Sequence, residues 1–246
     1  MKRIIFTVFT LSISIAVLGQ IPTNGLVAYY PFNINANDST TNANNATTFG
    51  TPSYQSGVTG NSIHLVGGGY VGIGGNCLTL PPIISDTMHA FSISMWVKED
   101  SLSHSDGEAY IFFGNHSGGY TEVFHDGLND SVYFSVSGGG GRFGTKFLPC
   151  FKGNFVHYAL TYSSGIMYVY VNGQLRGVKN QTTSFTNNTA GIGIHWWLNV
   201  WGGVSTRFIG SIDEVRIYNR PLSWTEVSQL YSASATNVNC NISCVS

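Results

Sequence analysis

The chain has 246 residues, with 11 basic against 12 acidic side chains, and only 9% of it is charged. That balance, with no basic stripe, excludes nucleic acid and anionic membrane as natural partners. A surface so poor in charge must be built from Asn, Ser, Thr and Gly, which suits neutral, hydroxyl-rich ligands, and the 43% hydrophobic residues are enough for a sizeable core.

Residues 1–19 read as a secretory signal peptide. Lys2 and Arg3 form a short basic region, Ile4 to Leu18 is apolar apart from Thr and Ser, and Val17-Leu18-Gly19 precedes a cut before Gln20. The apolar run is short for a membrane span, nothing later is long and apolar enough to span, and a lipoprotein cysteine is missing after it. Export is therefore the expectation, to a secreted or cell-surface location. Without Lys2 and Arg3 the remaining chain carries a net charge of about −3.

From Gln20 onward, short β-type runs recur between Gly-, Asn- and Ser-rich breaks. They are Leu26–Phe32, Ser62–Val66, Tyr70–Ile73, Phe91–Lys98, Tyr110–Phe113, Thr121–His125, Ser131–Val136, Phe155–Tyr162, Met167–Val171 and Phe208–Tyr218. In the Phe91 run, residues 91, 93, 95 and 97 share one face and Ser92, Ser94 and Trp96 the other. Trp96 interrupts the polar side, so both faces of that strand are expected to be covered. The alternating run to Val171 is followed by Asn172-Gly173, whose shared tolerance of positive φ predicts a hairpin returning through 174–178.

One helix is predicted, after Pro221. Ser223 with Glu226 three residues on makes a capping box, and Leu222 and Val227 are placed to staple it. Residues 232–246 are polar and read as a tail. Many strands, one terminal helix and no β-α alternation predict an all-β protein, an antiparallel two-sheet sandwich of the jelly-roll kind.

The four cysteines are Cys77, Cys150, Cys240 and Cys244. In an exported chain they allow three disulfide pairings, of which Cys77–Cys150 with Cys240–Cys244 is the simplest. A zinc-thiolate site would normally show two close Cys pairs, and only one is present.

Three segments resemble bacterial laminin-G-like, concanavalin A-like jelly-roll domains. They are Gly25-Leu-Val-Ala-Tyr-Tyr-Pro-Phe with the Asn-rich stretch to Gly50, the strand Phe91-Ser-Ile-Ser-Met-Trp-Val-Lys, and the closing Phe208-Ile-Gly-Ser-Ile-Asp-Glu-Val-Arg-Ile-Tyr-Asn-Arg-Pro-Leu-Ser with Gln229-Leu-Tyr. Their order covers residues 25 to 231, so 20–231 is read as one such domain. One departure is Asn154-Phe155-Val156-His157, where the family often has Trp. The resemblance implies two stacked sheets, a secreted or surface location and often a structural calcium ion, without fixing one ligand.

In similar domains the first loop and the closing strand meet at one edge. That makes Asp38, amid Asn35, Asn37 and Asn42, and Asp213 the expected calcium ligands, since calcium takes six to eight oxygens. The other reading of Asp38-Ser39 is an Asx-turn, and of Asp213 a cap on backbone N–H groups.

His195-Trp196-Trp197-Leu198-Asn199-Val200-Trp201 holds three of the five tryptophans, between two predicted strands, where family members carry a plainer loop. Indole stacks on sugar C–H faces and suits protein interfaces, while His195 and Asn199 can bond hydroxyls. His195, Trp196, Trp197, Asn199 and Trp201 are therefore the candidate ligand contacts, the alternative being a thick local core. Gly118-Gly119-Tyr120 and Gly138–Gly141 with Arg142 and Phe143 are other flexible loops that could border a site.

Catalysis is not expected. Glu-x-Asp-x-x-Glu and Gly-x-Ser-x-Gly are both missing, and adjacent Asp213 and Glu214 should face opposite ways. Glu122 and Asp126 would stand about 13 Å apart on one strand, too far for a glycosidase pair. The function expected is a secreted carbohydrate-binding module with structural calcium. The alternatives are an adhesion or assembly protein with an extracellular protein partner, or a degenerate glycoside hydrolase.

Overall fold

A computed structural model of the chain describes residues 20–67, 69–70, 75–83, 89–100, 108–115, 119–126, 131–136, 142–146, 151–181, 190–193, 205–206 and 208–234. The strands are β1 (Leu26–Tyr30), β2 (Thr47–Phe49), β3 (Ser53–Ser56), β4 (Asn61–Leu65), β5 (Gly69–Tyr70), β6 (Cys77–Leu80), β7 (Ala90–Glu99), β8 (Glu108–Asn115) and β9 (Gly119–Asp126). They continue with β10 (Ser131–Val136), β11 (Arg142–Lys146), β12 (Val156–Ser163), β13 (Ile166–Val171), β14 (Gln174–Asn180), β15 (Ala190–Ile192), β16 (Ser205–Thr206) and β17 (Gly210–Tyr218). Helix α1 spans Trp224–Ser234 and so runs past Tyr231 into the polar stretch.

Two antiparallel sheets result. The first has the order β14-β13-β12-β7-β17-β4-β3, with β1 also paired to β17. The second has the order β11-β10-β9-β8-β15-β6-β2, and β5 and β16 form a separate ribbon.

Alternation explains the layering. On β7, Phe91, Ile93, Met95 and Val97 enter the central core, where they meet Ile111, Phe113, Val123, Val132 and Phe134 of the second sheet. The opposite face of the first sheet is also buried at its centre. There Ala159, Tyr170 and Tyr218 form a smaller core with Leu222, Val227 and Leu230 of the helix region. Trp96 is 1% exposed, as its place on a strand with two covered faces requires.

The helix starts as its sequence directs. Glu226 N–H donates to Ser223 Oγ at 3.3 Å, and Ser223 N–H donates to Glu226 Oε2 at 2.8 Å, the two halves of a capping box. Leu222 and Val227 are both buried in the smaller core. The hairpin at Asn172-Gly173 forms as well, with φ of 50° and 72°.

Candidate functional site

The Asp38 carboxylate is the centre of the first loop. Its Oδ1 accepts the N–H groups of Tyr29 and Thr40, both at 2.9 Å, and its Oδ2 accepts Thr40 Oγ1–H at 2.7 Å and Asn44 N–H at 2.9 Å. Two bonds on each oxygen use the lone pairs a cation would need. The Asn-rich composition serves the same loop: Asn42 and Asn44 side chains both donate to the carbonyl of Val27.

Asp213 holds a different segment. Its Oδ2 accepts Val58 N–H at 2.8 Å and Thr59 N–H at 3.3 Å, across the turn between β3 and β4, and its Oδ1 accepts Glu214 N–H at 2.8 Å. Burial and the neighbouring Glu214 charge push its carboxyl up to about 7, against the pull of those three donors. The two aspartates share no donor. Among the described residues no group of three or more His, Cys, Asp or Glu could hold a metal. Both side chains thus act as the Asx-turn and N–H cap that form their second reading, and the four donors around Asp38 do not fit a cation there.

Asp213 and Glu214 depart from strict alternation. Glu214 has φ 54°, and the β17 register shifts between Asp213 and Arg216. With Ile212 and Val215 both in the core, the bulge leaves both acids off it, which corrects the expectation of opposite faces. Glu214 Oε1 accepts Tyr29 O–H at 2.8 Å, and its Oε2 pairs with Arg216 Nη2 at 2.5 Å. The Arg216 guanidinium lies 4.1 Å from the Tyr29 ring centre. These groups tie β1 to β17.

α1 covers the centre of the first sheet's outer face, against β12, β13 and β17, and the outer face of the second sheet is itself buried at Phe112, Tyr120, Glu122 and Phe124. Alternation about core residue Val123 turns Tyr120, Glu122 and Phe124 of β9 outward. Phe112 stacks on Tyr120 and Phe124 on Tyr133, each at 5.4 Å. Glu122 lies in register with Phe112 on one side and Ser135 on the other, and is buried. On the unbroken β9, Asp126 is four residues on, about 13 Å away at about 3.3 Å per residue.

Register also sorts the loops. β15 pairs Ala190 with Phe113 and Ile192 with Ile111, so it runs toward the end of the sheet where β8 begins, β9 ends and β10 begins. The connection 194–204 leaves from that end, and so do 101–107, 127–130 and 147–150. β8 ends, β9 begins, β10 ends and β11 begins at the opposite end. Gly118 and Gly138–Gly141 lie outside the described residues. His195, Trp196, Trp197, Asn199 and Trp201 themselves lie outside the described residues.

Cys77 is a free, fully buried thiol on β6, five strands across the sheet from β11, which leads to Cys150. Burial pushes that thiol up to about 11. Cys150, Cys240 and Cys244 lie outside the described residues.

Two buried polar groupings escape a sequence reading. Between the sheets, Glu99 accepts from Tyr110 O–H and stands 3.0 Å from His125 Nδ1. Under α1, His157 Nε2 lies 2.8 Å from Ser94 Oγ, and desolvation, then the Arg216 charge, pull that imidazole down to about 3. Only the cross-strand registers bring these partners together.

Residues 72–228 match the Laminin_G_3 family of the concanavalin A-like lectin/glucanases superfamily, and the chain belongs to it. No curated protein matches. Among solved structures, domain 4 of AbnA, a GH43 extracellular arabinanase from Geobacillus stearothermophilus, in complex with arabinotriose, is similar at TM-score 0.68 and 24% identity. That match covers 84% of this chain and 98% of that one. The binding domain of botulinum neurotoxin DC, in complex with rat synaptotagmin II, gives 0.67 at 12% identity, covering 86% of this chain and 52% of its own. Trypanosoma rangeli sialidase in complex with sialic acid gives 0.66 at 18%, covering 89% and 34%. The chain thus spans about half of the toxin domain and a third of the sialidase. At these identities the likeness is one of fold.

Proposed function

We propose that this is an exported carbohydrate-binding module that holds its ligand at the end of the second sheet where the 194–204 connection leaves. The carrying observation is where the tryptophan-bearing connection leaves the sandwich. β15, inside the second sheet, delivers it to the end where β8 begins, β9 ends and β10 begins. His195, Trp196, Trp197, Asn199 and Trp201 supply stacking surfaces and hydroxyl partners there. The arabinotriose and sialic acid named with the similar structures support a sugar as ligand. The reading is of binding, not hydrolysis: Asp213 and Glu214 are engaged in holding the fold, and Glu122 and Asp126 are too far apart to act together.

A second reading has one observation of its own. The edge strand β14 exposes Leu175 and Val178, at 48% and 50%, a surface for an extracellular protein partner. A glycan array run beside pull-down on surface proteins separates the two. Retention on glycans supports the module. Capture of a protein with no glycan retained supports adhesion and removes the first reading.

A further inference from the structure

We propose that Gln20 is a modification site, closing to a pyroglutamate once the leader is removed. The proposal rests on the export reading, which puts Gln20 at the new N-terminus.

The structure isolates this residue from the packing that begins at its neighbour. Ile21 packs on the smaller core under α1. The Pro22 carbonyl accepts Tyr218 O–H at 3.0 Å, the Thr23 carbonyl accepts Leu26 N–H at 3.1 Å, and the Asn24 carbonyl accepts Arg220 Nε–H at 2.8 Å. Gln20 is exposed and lines a surface groove with Arg220, Glu226 and Gln229. From Ile21 inward the chain is fixed. Gln20 alone keeps the freedom to bend its side chain back onto its own amine.

The charges in that groove favour the cyclic product. Glu226 is its carboxylate, and both of its oxygens are engaged, by Arg220 Nη1 at 3.0 Å and Nη2 at 2.5 Å and by Ser223. An α-ammonium on Gln20 would add a second cation beside the groove's one carboxylate, which Arg220 already pairs through both oxygens. The lactam is neutral and keeps one N–H and one carbonyl.

The reaction balances without a co-reactant. The α-amine nitrogen of Gln20 attacks its own Cδ, the N–Cδ bond forms, the Cδ–Nε2 bond breaks, and ammonia departs with one amine proton. Nothing is oxidised or reduced.

The test is intact-mass and N-terminal peptide analysis of the exported protein, made from the full chain with its leader. The expected mass is that of Gln20–Ser246 less one ammonia, with the N-terminus refractory to aminopeptidase and to amine labelling. Gln20→Asn should give the same cut with a labelled amine and no ammonia loss, because its lactam would be a strained four-membered ring. A wild-type mass of Gln20–Ser246 with a labelled amine overturns the proposal and leaves export standing. An uncleaved chain overturns both, and an exported chain that starts elsewhere overturns the modification at Gln20.

Discussion

The Trp96 indole on β7 and the Tyr231 ring on α1 stack at 5.5 Å with their planes 22° apart. His157 sits beside both, 5.1 Å from Trp96 and 6.0 Å from Tyr231 between ring centres. This aromatic contact fixes the only described helix onto the sandwich and makes the centre of the first sheet's outer face an interior.

Tyr231→Ala should therefore expose Trp96 and loosen α1. The expected loss is about 2 kcal/mol, from lost area and lost stacking. Urea unfolding followed by tryptophan fluorescence would show a lower midpoint and a red-shifted native spectrum. An unchanged native spectrum would mean that Trp96 is covered by something other than this ring.

The open edges of the two sheets meet where Phe143 of β11 reaches Gly177 of β14. A Cβ built on Gly177 falls 2.0 Å from the Phe143 ring, so this edge needs glycine for its lack of side chain. Gly177→Val should destabilise by about 1–3 kcal/mol through overpacking. The double variant Gly177→Val, Phe143→Ala should recover part of that loss relative to the sum of the singles. Strict additivity in chemical denaturation would show that the two residues do not meet.

Around neutral pH two buried groups oppose each other. Asp213 is raised to about 7 in the folded chain, so the fold takes up a proton that the unfolded chain does not, and its share of stability is lost as pH rises from about 4 to 7. His157 is held down to about 3, so the unfolded chain is the one that protonates, and its share is lost as pH falls from about 6.5 to 3. The shifts are similar in size, each on the order of 4 kcal/mol as an upper bound. Wild-type stability should be nearly flat between about pH 4.5 and 6.5. Asp213→Asn should unmask a fall on acidification, and His157→Gln a rise. Denaturation midpoints across that range, equally flat in both variants, would refute the pairing.

Because Asp38 accepts four hydrogen bonds, its loop should not depend on a metal. Asp38→Ala leaves the N–H groups of Tyr29, Thr40 and Asn44 without their acceptor and should cost about 1–3 kcal/mol. A chelator should leave the wild-type Tm unchanged. A fall in Tm with chelator that calcium restores, and that Asp38→Ala abolishes, would reinstate the ion.

Most of the framework was readable in the chain because long alternating runs carry their own period. The Phe91 run, the Asn172-Gly173 hairpin and the Ser223 capping box all formed as their residues direct. Four of the strands that were not anticipated have physical reasons for being silent. β2 is three exposed residues, β3 is Ser-Tyr-Gln-Ser, β11 carries Gly144 at its centre, and β15 is only Ala-Gly-Ile. Such segments are strands because neighbours pair with them, not through any period or propensity of their own. The aspartates show the same limit. Asp38 and Asp213 were conspicuous as acids, but whether a carboxylate meets a cation or a row of N–H groups depends on the backbone folded around it. The bulge at Glu214 likewise defeats an alternation rule that holds elsewhere on β17.

The central claim is that sugar is held at the end of the second sheet from which the tryptophan segment leaves. Isothermal titration of the exported protein with a glycan retained on the array tests it most directly, with Trp197→Ala and Trp201→Ala alongside. The account predicts saturable binding by wild type and a loss of about tenfold, or about 1.4 kcal/mol, in at least one variant whose circular dichroism is unchanged. Wild-type affinity in both variants, or no glycan bound at all, would contradict it.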